Sequence, residues 1–346
     1  MPRVIESPEE FTIVGENIHA TRVLLRNGRR ATTLEDGTEV VPFKGESGEQ
    51  RYLTVPDWFK KTQPYQQGQI KHLMVAMMKG ISDDSVEQEE GAAYLRYEVD
   101  RQVKAGATFL DINVDEVHYN LDIQKRAMKW AVETVQEASP LPPSVDSSHS
   151  EIIAEGLSAY NRKAGRPLMN SVAPERPETV DMIADHGARV IVMATSGTGM
   201  PQDAEERVEN TNAIMDQLLS KGVDLGDIFI DAIVFPISVD GQNGNHYFDA
   251  VRTLRETYGN EIHIGMGLSN VSFGMPNRKL INETFIHLAL DAGIDAGITD
   301  PVATKLKNVF ELDTGSERFQ FASDMLLGKD DFCMNFIQAY RDGKLA

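Results

Sequence analysis

The sequence predicts an α/β fold: a (β/α)8 TIM barrel with a β-hairpin and helix inserted after the first strand. Three observations predict it. From residue 62 onward, short apolar runs alternate with longer segments of helical periodicity, the pattern of βα units around a parallel sheet. With the run at Thr12 to Glu16 the runs number eight, which favours a barrel over a doubly wound sheet. Run after run also ends on Asp or Asn where it gives way to a loop, and in a barrel the carboxyl ends of the strands form one mouth.

In chain order, strands are expected at Thr12 to Glu16, Thr108 to Asn113, Pro143 to Asp146, Leu168 to Ser171, Val190 to Ala194, Ile228 to Ile233, His263 to Gly267 and Ala296 to Thr299. Helices are expected near residues 84–105, 119–138, 149–163, 175–186, 203–221, 245–258 and 277–292. Ser148 is placed to cap the third, while Gly187, Gly222 and Gly293 stand where the fourth, fifth and last must stop. About 90 residues separate the first strand from the second, so something is inserted there. Within residues 23–65, two β-prone stretches flank Asp36-Gly37, a favourable hairpin turn. Residues 69–81 then read as an extra helix whose methionines form a buried stripe in preference to a cofactor surface. One barrel domain is expected over residues 1–346, with residues 309–346 supplying the C-terminal helices.

Acidic residues outnumber basic ones by 53 to 34, and a formal charge of −19 argues against nucleic acid or an anionic membrane as partner. Cys333 is the only cysteine, which excludes an intrachain disulfide and a thiolate zinc site. The stretch MPRVIESPEEF lacks an apolar signal-peptide core, and no run approaches the roughly 18 apolar residues of a membrane span. A cytoplasmic protein is expected. His118, His149, His186, His246 and His263 are scattered with no ligand spacing, so no metal is assigned. Neither a phosphate loop nor a GxSxG elbow occurs, and Gly265-Met-Gly267-Leu-Ser-Asn270 is only an incomplete dinucleotide pattern.

The chemistry is sought in the strand-end residues Asp111, Asn113, Asp146, Asn170, Asp231 and Asn270. Carboxylates and amides cost free energy in apolar surroundings unless partnered. Taken singly, each can be explained as a loop or helix cap, and Asp146 before Ser147-Ser148 is the most open to that explanation. Taken together, they suit a planar ligand with an amidine-like edge, because a carboxylate accepts two parallel N–H bonds from such an edge. Pterins and guanines have that edge. Asp111 is expected to face away from the others.

At Gly267-Leu-Ser-Asn270-Val-Ser-Phe-Gly-Met-Pro-Asn-Arg278 the chain resembles the methyltetrahydrofolate:corrinoid protein methyltransferases. These belong to the pterin-binding barrel family that includes the folate module of cobalamin-dependent methionine synthase. Val14-Gly15-Glu16-Asn17-Ile18, Leu110 to Val114, Val145 to Ser148, Met169 to Ser171, Phe229 to Asp231 and the 199–208 segment GMPQDAEERV join the resemblance. It implies a usually dimeric barrel that binds tetrahydrofolate or 5-methyltetrahydrofolate and exchanges the methyl group with a corrinoid carried by a partner protein. Asp146, Asn170 and Asp231 match pterin-holding positions, Asn270 matches the residue near the methylated N5, and Asn113 and Glu16 line the mouth. Two departures stand out: Ala232 follows Asp231 where the family often has Pro, and the 23–65 insertion is not part of the minimal pattern. Two other readings are a non-catalytic folate-binding subunit and dihydropteroate synthase. The second is disfavoured because the expected seventh strand has no lysine.

Overall fold

The computed structural model describes residues 5–197 and 199–345. Residues 1–4, which open the stretch read above for export signals, lie outside them. Eight parallel strands form one sheet: β1 (Thr12–His19), β2 (Phe109–Asn113), β3 (Pro143–Asp146), β4 (Leu168–Val172), β5 (Arg189–Met193), β6 (Ile228–Asp231), β7 (His263–Gly265) and β8 (Ala296–Thr299). Their hydrogen-bonded order is β7-β6-β5-β4-β3-β2-β1-β8, the strand succession of a (β/α)8 barrel. By contact the chain divides into two compact units, residues Gly15–Asn170 and residues Met1–Val14 with Ser171–Ala346, and both divisions fall inside strands.

The unit Gly15–Asn170 holds the insertion and the helices α1 (His72–Gly80), α2 (Ser85–Lys104), α3 (Leu121–Ala138) and α4 (Ser150–Ala159). All five residues of β2 are buried, as in a strand covered on both faces. Side-chain caps start two helices: Asp84 accepts from the Val86 N–H, and Asn120 from the N–H groups of Asp122 and Ile123. Ser148 does not cap α4. The N-cap is His149, without a side-chain bond, and the Ser148 hydroxyl donates instead to Asp115 at 2.7 Å.

The insertion contains more strand than the single hairpin expected. Thr32–Thr33 pairs with Glu39 and Val40 across the Asp36-Gly37 turn, and Glu39–Lys44 pairs again with Gln50–Thr54. A short strand at Leu24–Leu25 pairs with Gln69–Ile70. Buried polar contacts fasten these pieces to the helices. Glu90 accepts from the Thr54 backbone at 2.6 Å and from the nearly buried Lys79 at 2.6 Å, and Arg30 is ion-paired with the buried Glu98. The α1 methionines divide: Met77 is core, whereas Met74 and Met78, four residues apart on one face, line an open cavity.

The other unit carries α5 (Thr179–His186), α6 (Ala204–Ser220), α7 (Asn243–Tyr258), α8 (Arg278–Ala292), α9 (Leu306–Phe310), α10 (Glu317–Leu326) and α11 (Met334–Arg341). Left-handed Gly187 and Gly293 end α5 and α8. Buried Arg255 of α7 donates to the Gly293 and Ile262 carbonyls and to Asp295, which also binds His263 at 2.7 Å. His263 therefore locks the amino end of β7 and lies at the end of the strand opposite the loops that follow it. Strands β6 and β7 stop two residues earlier than expected, because Ile233, Met266 and Gly267 all have positive φ and leave the extended conformation.

Candidate functional site

In the first unit, parallel register sets Asn113 beside Asp146 and Asp146 beside Asn170, so three polar strand ends share one side of the sheet. Asn113 donates to Asp146 Oδ2 at 2.9 Å and accepts from the Asp115 N–H at 3.0 Å. Its amide is thus engaged at both ends, and its effect is to orient the Asp146 carboxylate. Glu16 is held by Arg22, whose Nη2 lies 2.6 Å from Oε1 and whose Nε donates to the Glu16 carbonyl.

Asp111 was expected on the opposite face, and this is wrong. Residues two apart on a strand point the same way. Asp111 is 3% exposed, and its Oδ1 accepts from Ser144 at 2.5 Å and from Asn170 Nδ2 at 3.4 Å. It forms the floor on which Asn170 rests, and burial pushes its carboxyl up to about 6. Two further residues escaped the sequence reading. His19, at the end of β1, places Nε2 3.8 Å from Asp146 Oδ2, and burial, helped by Arg22, holds its imidazole down at about 4. At neutral pH it is an uncharged hydrogen-bonding group. Asp115 accepts from the hydroxyls of both Ser147 and Ser148, bracing the turn that follows Asp146. Its place two residues beyond Asn113 was the available signal.

In the second unit, Asp231 ends β6 and accepts from the Ile233 N–H at 2.9 Å. Ile233 has φ 59°, a conformation that a β-branched residue adopts only under constraint. The constraint comes from Arg207 of α6, fully buried, which donates to the carbonyls of Ala232 at 2.9 Å, Ile233 at 3.3 Å and Asp203 at 2.6 Å. The GMPQDAEERV segment is thus a bracket for the turn after Asp231, and Ala232 in place of Pro is accommodated within it. Burial raises the Asp231 carboxyl to about 6, opposed by the Ile233 N–H and by the Arg207 charge.

Asn270 is exposed on the short turn Leu268–Ser272. Arg278 pins that turn by donating to the Ser269 carbonyl and the Ser272 hydroxyl, both at 2.9 Å. A methyl group at Gly267 would stand 3.3 Å from Asn270 Nδ2 and 3.7 Å from Asp231 Oδ2. An amide and a carboxylate therefore flank one bare backbone position, where a flat ligand meets no side chain.

Arg207→Lys is expected to destabilise the fold by about 2 kcal/mol or more, because one ammonium cannot reach three carbonyls. Urea unfolding measures that loss. Weaker ligand binding at a pH and temperature where the variant remains folded would show that the bracket serves Asp231 as well as the fold.

The family model described as pterin-binding enzymes matches residues 81–300. The methylcorrinoid:tetrahydrofolate methyltransferase of Eubacterium limosum is 30% identical over 263 residues, which span 75% of this chain and 91% of that protein. Methionine synthase of Mycobacterium leprae is 32% identical over 212 residues, 57% of this chain but 17% of that longer protein. Among solved structures, dihydropteroate synthase of Xanthomonas albilineans with 4-aminobenzoic acid superposes with a TM-score of 0.51 at 17% identity, covering 65% of this chain and 85% of that one. That likeness concerns the fold alone. With a family model over most of its length and a relative spanned almost end to end, the chain belongs to the pterin-binding enzyme family.

Proposed function

We propose that this protein is a methyltransferase that exchanges a methyl group between N5 of tetrahydrofolate and the cobalt of a corrinoid. The corrinoid is carried by a partner protein, and the enzyme itself works as a homodimer. The observation that carries the reading is the pairing of Asn270 and Asp231 around bare Gly267, within the segment that most resembles the methyltetrahydrofolate:corrinoid enzymes. The name and extent of the Eubacterium limosum relative support it.

In this reading Asp231, Asp146 and Asn170 hold the pterin through its N–H-rich edge, Asn113 orients Asp146, and Glu16 with Arg22 forms a wall. A methyl on a tertiary amine is a poor electrophile unless its nitrogen gains positive character. Asn270 accepts a hydrogen bond from protonated N5 as that charge develops, which stabilises the transition state more than the ground state. Co(I) attacks the methyl carbon, the C–N5 bond breaks and its electron pair stays on N5. In reverse, N5 attacks methyl-Co(III), cobalt keeps the Co–C pair and N5 loses its proton. Neither direction needs a nucleophile from the protein.

Incubation of the protein with isotopically labelled methyl-Co(III) corrinoid and tetrahydrofolate is expected to yield labelled 5-methyltetrahydrofolate by mass spectrometry. Tight folate binding without methyl transfer to or from any corrinoid would favour a non-catalytic folate-binding subunit instead. Condensation of p-aminobenzoate with a pterin diphosphate would favour dihydropteroate synthase.

A further inference from the structure

Within the unit Gly15–Asn170 a cavity of about 660 Å³ opens between the insertion, α1 and the loop after β2. Its volume lies in the range of small-molecule sites, about 300–1,000 Å³. Trp58, Met74, Met78 and Tyr119 give it apolar walls, and Lys71, Asp115 and Glu116 are charged residues of its lining. Tyr119 is 95% and Trp58 40% exposed, although this acidic surface has ample charge with which to cover such a place. Large aromatic side chains left open beside one another mark a contact surface.

These walls are held from behind. Phe59 is fully buried, so its neighbour Trp58 is turned outward, and the Tyr119 ring stacks on His118 with centroids 4.2 Å apart. The strand Gln50–Thr54, a few residues before Trp58, is fastened to α1 and α2 through Glu90 and Lys79. The cavity also adjoins the polar strand ends. Asp115 lines it, lies two residues beyond Asn113, and binds the serines that directly follow Asp146. Trp58, Thr62, Lys71, Met74 and Met78 all precede the 81–300 segment matched by the family model. One wall of the cavity therefore lies outside the segment matched by the family model.

We propose that the cavity receives the p-aminobenzoyl-glutamate tail of the folate, an inference that rests on the folate reading above. The tail is an aromatic ring followed by carboxylates, and the cavity offers aromatic and thioether walls together with the cation Lys71. Lys71 is ion-paired with Glu116, a half-exposed surface carboxylate. Such a pair is weak enough for the tail to displace Glu116. The ring lies between Trp58, Tyr119 and the two methionines, and a glutamate carboxylate takes Lys71.

The test compares equilibrium binding of tetrahydrofolate with that of 6-methyltetrahydropterin, which lacks the tail, in the wild type, Trp58→Ala and Tyr119→Ala. The wild type is expected to bind tetrahydrofolate at least about tenfold more tightly. Each variant should cut that preference severalfold while binding the tail-free pterin as the wild type does, which also serves as the folding control. Tyr119 is so exposed that its removal threatens no packing. A preference unchanged in both variants would overturn the proposal and leave the surface to a protein partner or a second copy of the chain. Equal binding of the two ligands by the wild type would also overturn it. Failure of the wild type to bind either ligand would instead overturn the folate reading itself.

Discussion

Asn270→Ala is expected to slow methyl transfer about a hundredfold or more while changing folate affinity by a factor of only a few. The side chain is exposed, and the turn that carries it is fixed by Arg278 through Ser269 and Ser272, so truncation leaves the local backbone in place. What disappears is an acceptor whose bond strengthens only as N5 becomes positive. Single-turnover rates at saturating folate, set against an equilibrium titration, separate the two effects. Equal losses in rate and affinity would make Asn270 a ground-state binding residue, and no loss in either would remove it from the mechanism.

Asp231→Asn is expected to weaken folate binding about a hundredfold, because an amide replaces a carboxylate that accepts two N–H bonds and turns an N–H group toward the ligand's own. The pH dependence follows from the same group. Burial raises its carboxyl from 3.8 to about 6, and the pterin edge binds the ionised form. Protons and ligand therefore compete, and wild-type affinity should fall as pH drops through about 6. Stability of the ligand-free protein runs the other way. A carboxyl whose folded value is raised contributes stability that is present below about 4 and lost as pH rises through about 6, and Asp111 adds to the same trend. Isothermal titration across this range checks the prediction. A Kd for the wild type that stays flat from pH 7 to 5, or a variant that keeps the wild-type slope, would contradict it.

Much of the fold was legible because burial on both faces writes parallel strands as apolar runs, and the Asp or Asn that ends several of the runs marks where burial stops. All eight strands lie where the runs lie. Boundaries erred where backbone strain intervened: β6 and β7 end early because Ile233 and Met266 turn left-handed, and the Arg207 side chain that holds the first of these turns comes from a distant helix. The insertion was legible as one hairpin, but its second pairing, closed by the short turn between Lys44 and Gln50 with backbone bonds from Gly45 to Glu49 and from Gly48 to Gly45, was not read from the sequence.

Of the strand-end residues, Asn113, Asp146 and Asn170 are set side by side by register, and Asp231 and Asn270 flank Gly267. Asp111 was misread through a parity error, since a separation of two keeps a side chain on the same face. His19 and Asp115 act through partners far along the chain, Asp146 and Ser147, at sequence distances no motif spans, whereas Arg22 reaches Glu16 six residues before it.

The central claim is that this chain moves a methyl group between folate nitrogen and corrinoid cobalt. The most direct measurement follows the visible absorbance of a Co(I) corrinoid protein, held anaerobically, after addition of 5-methyltetrahydrofolate and the enzyme. The account predicts enzyme-dependent loss of the Co(I) band and growth of the methyl-Co(III) spectrum in equal amounts, with the rate collapsing in Asn270→Ala. A Co(I) spectrum that persists beside enzyme shown to be saturated with folate would contradict it.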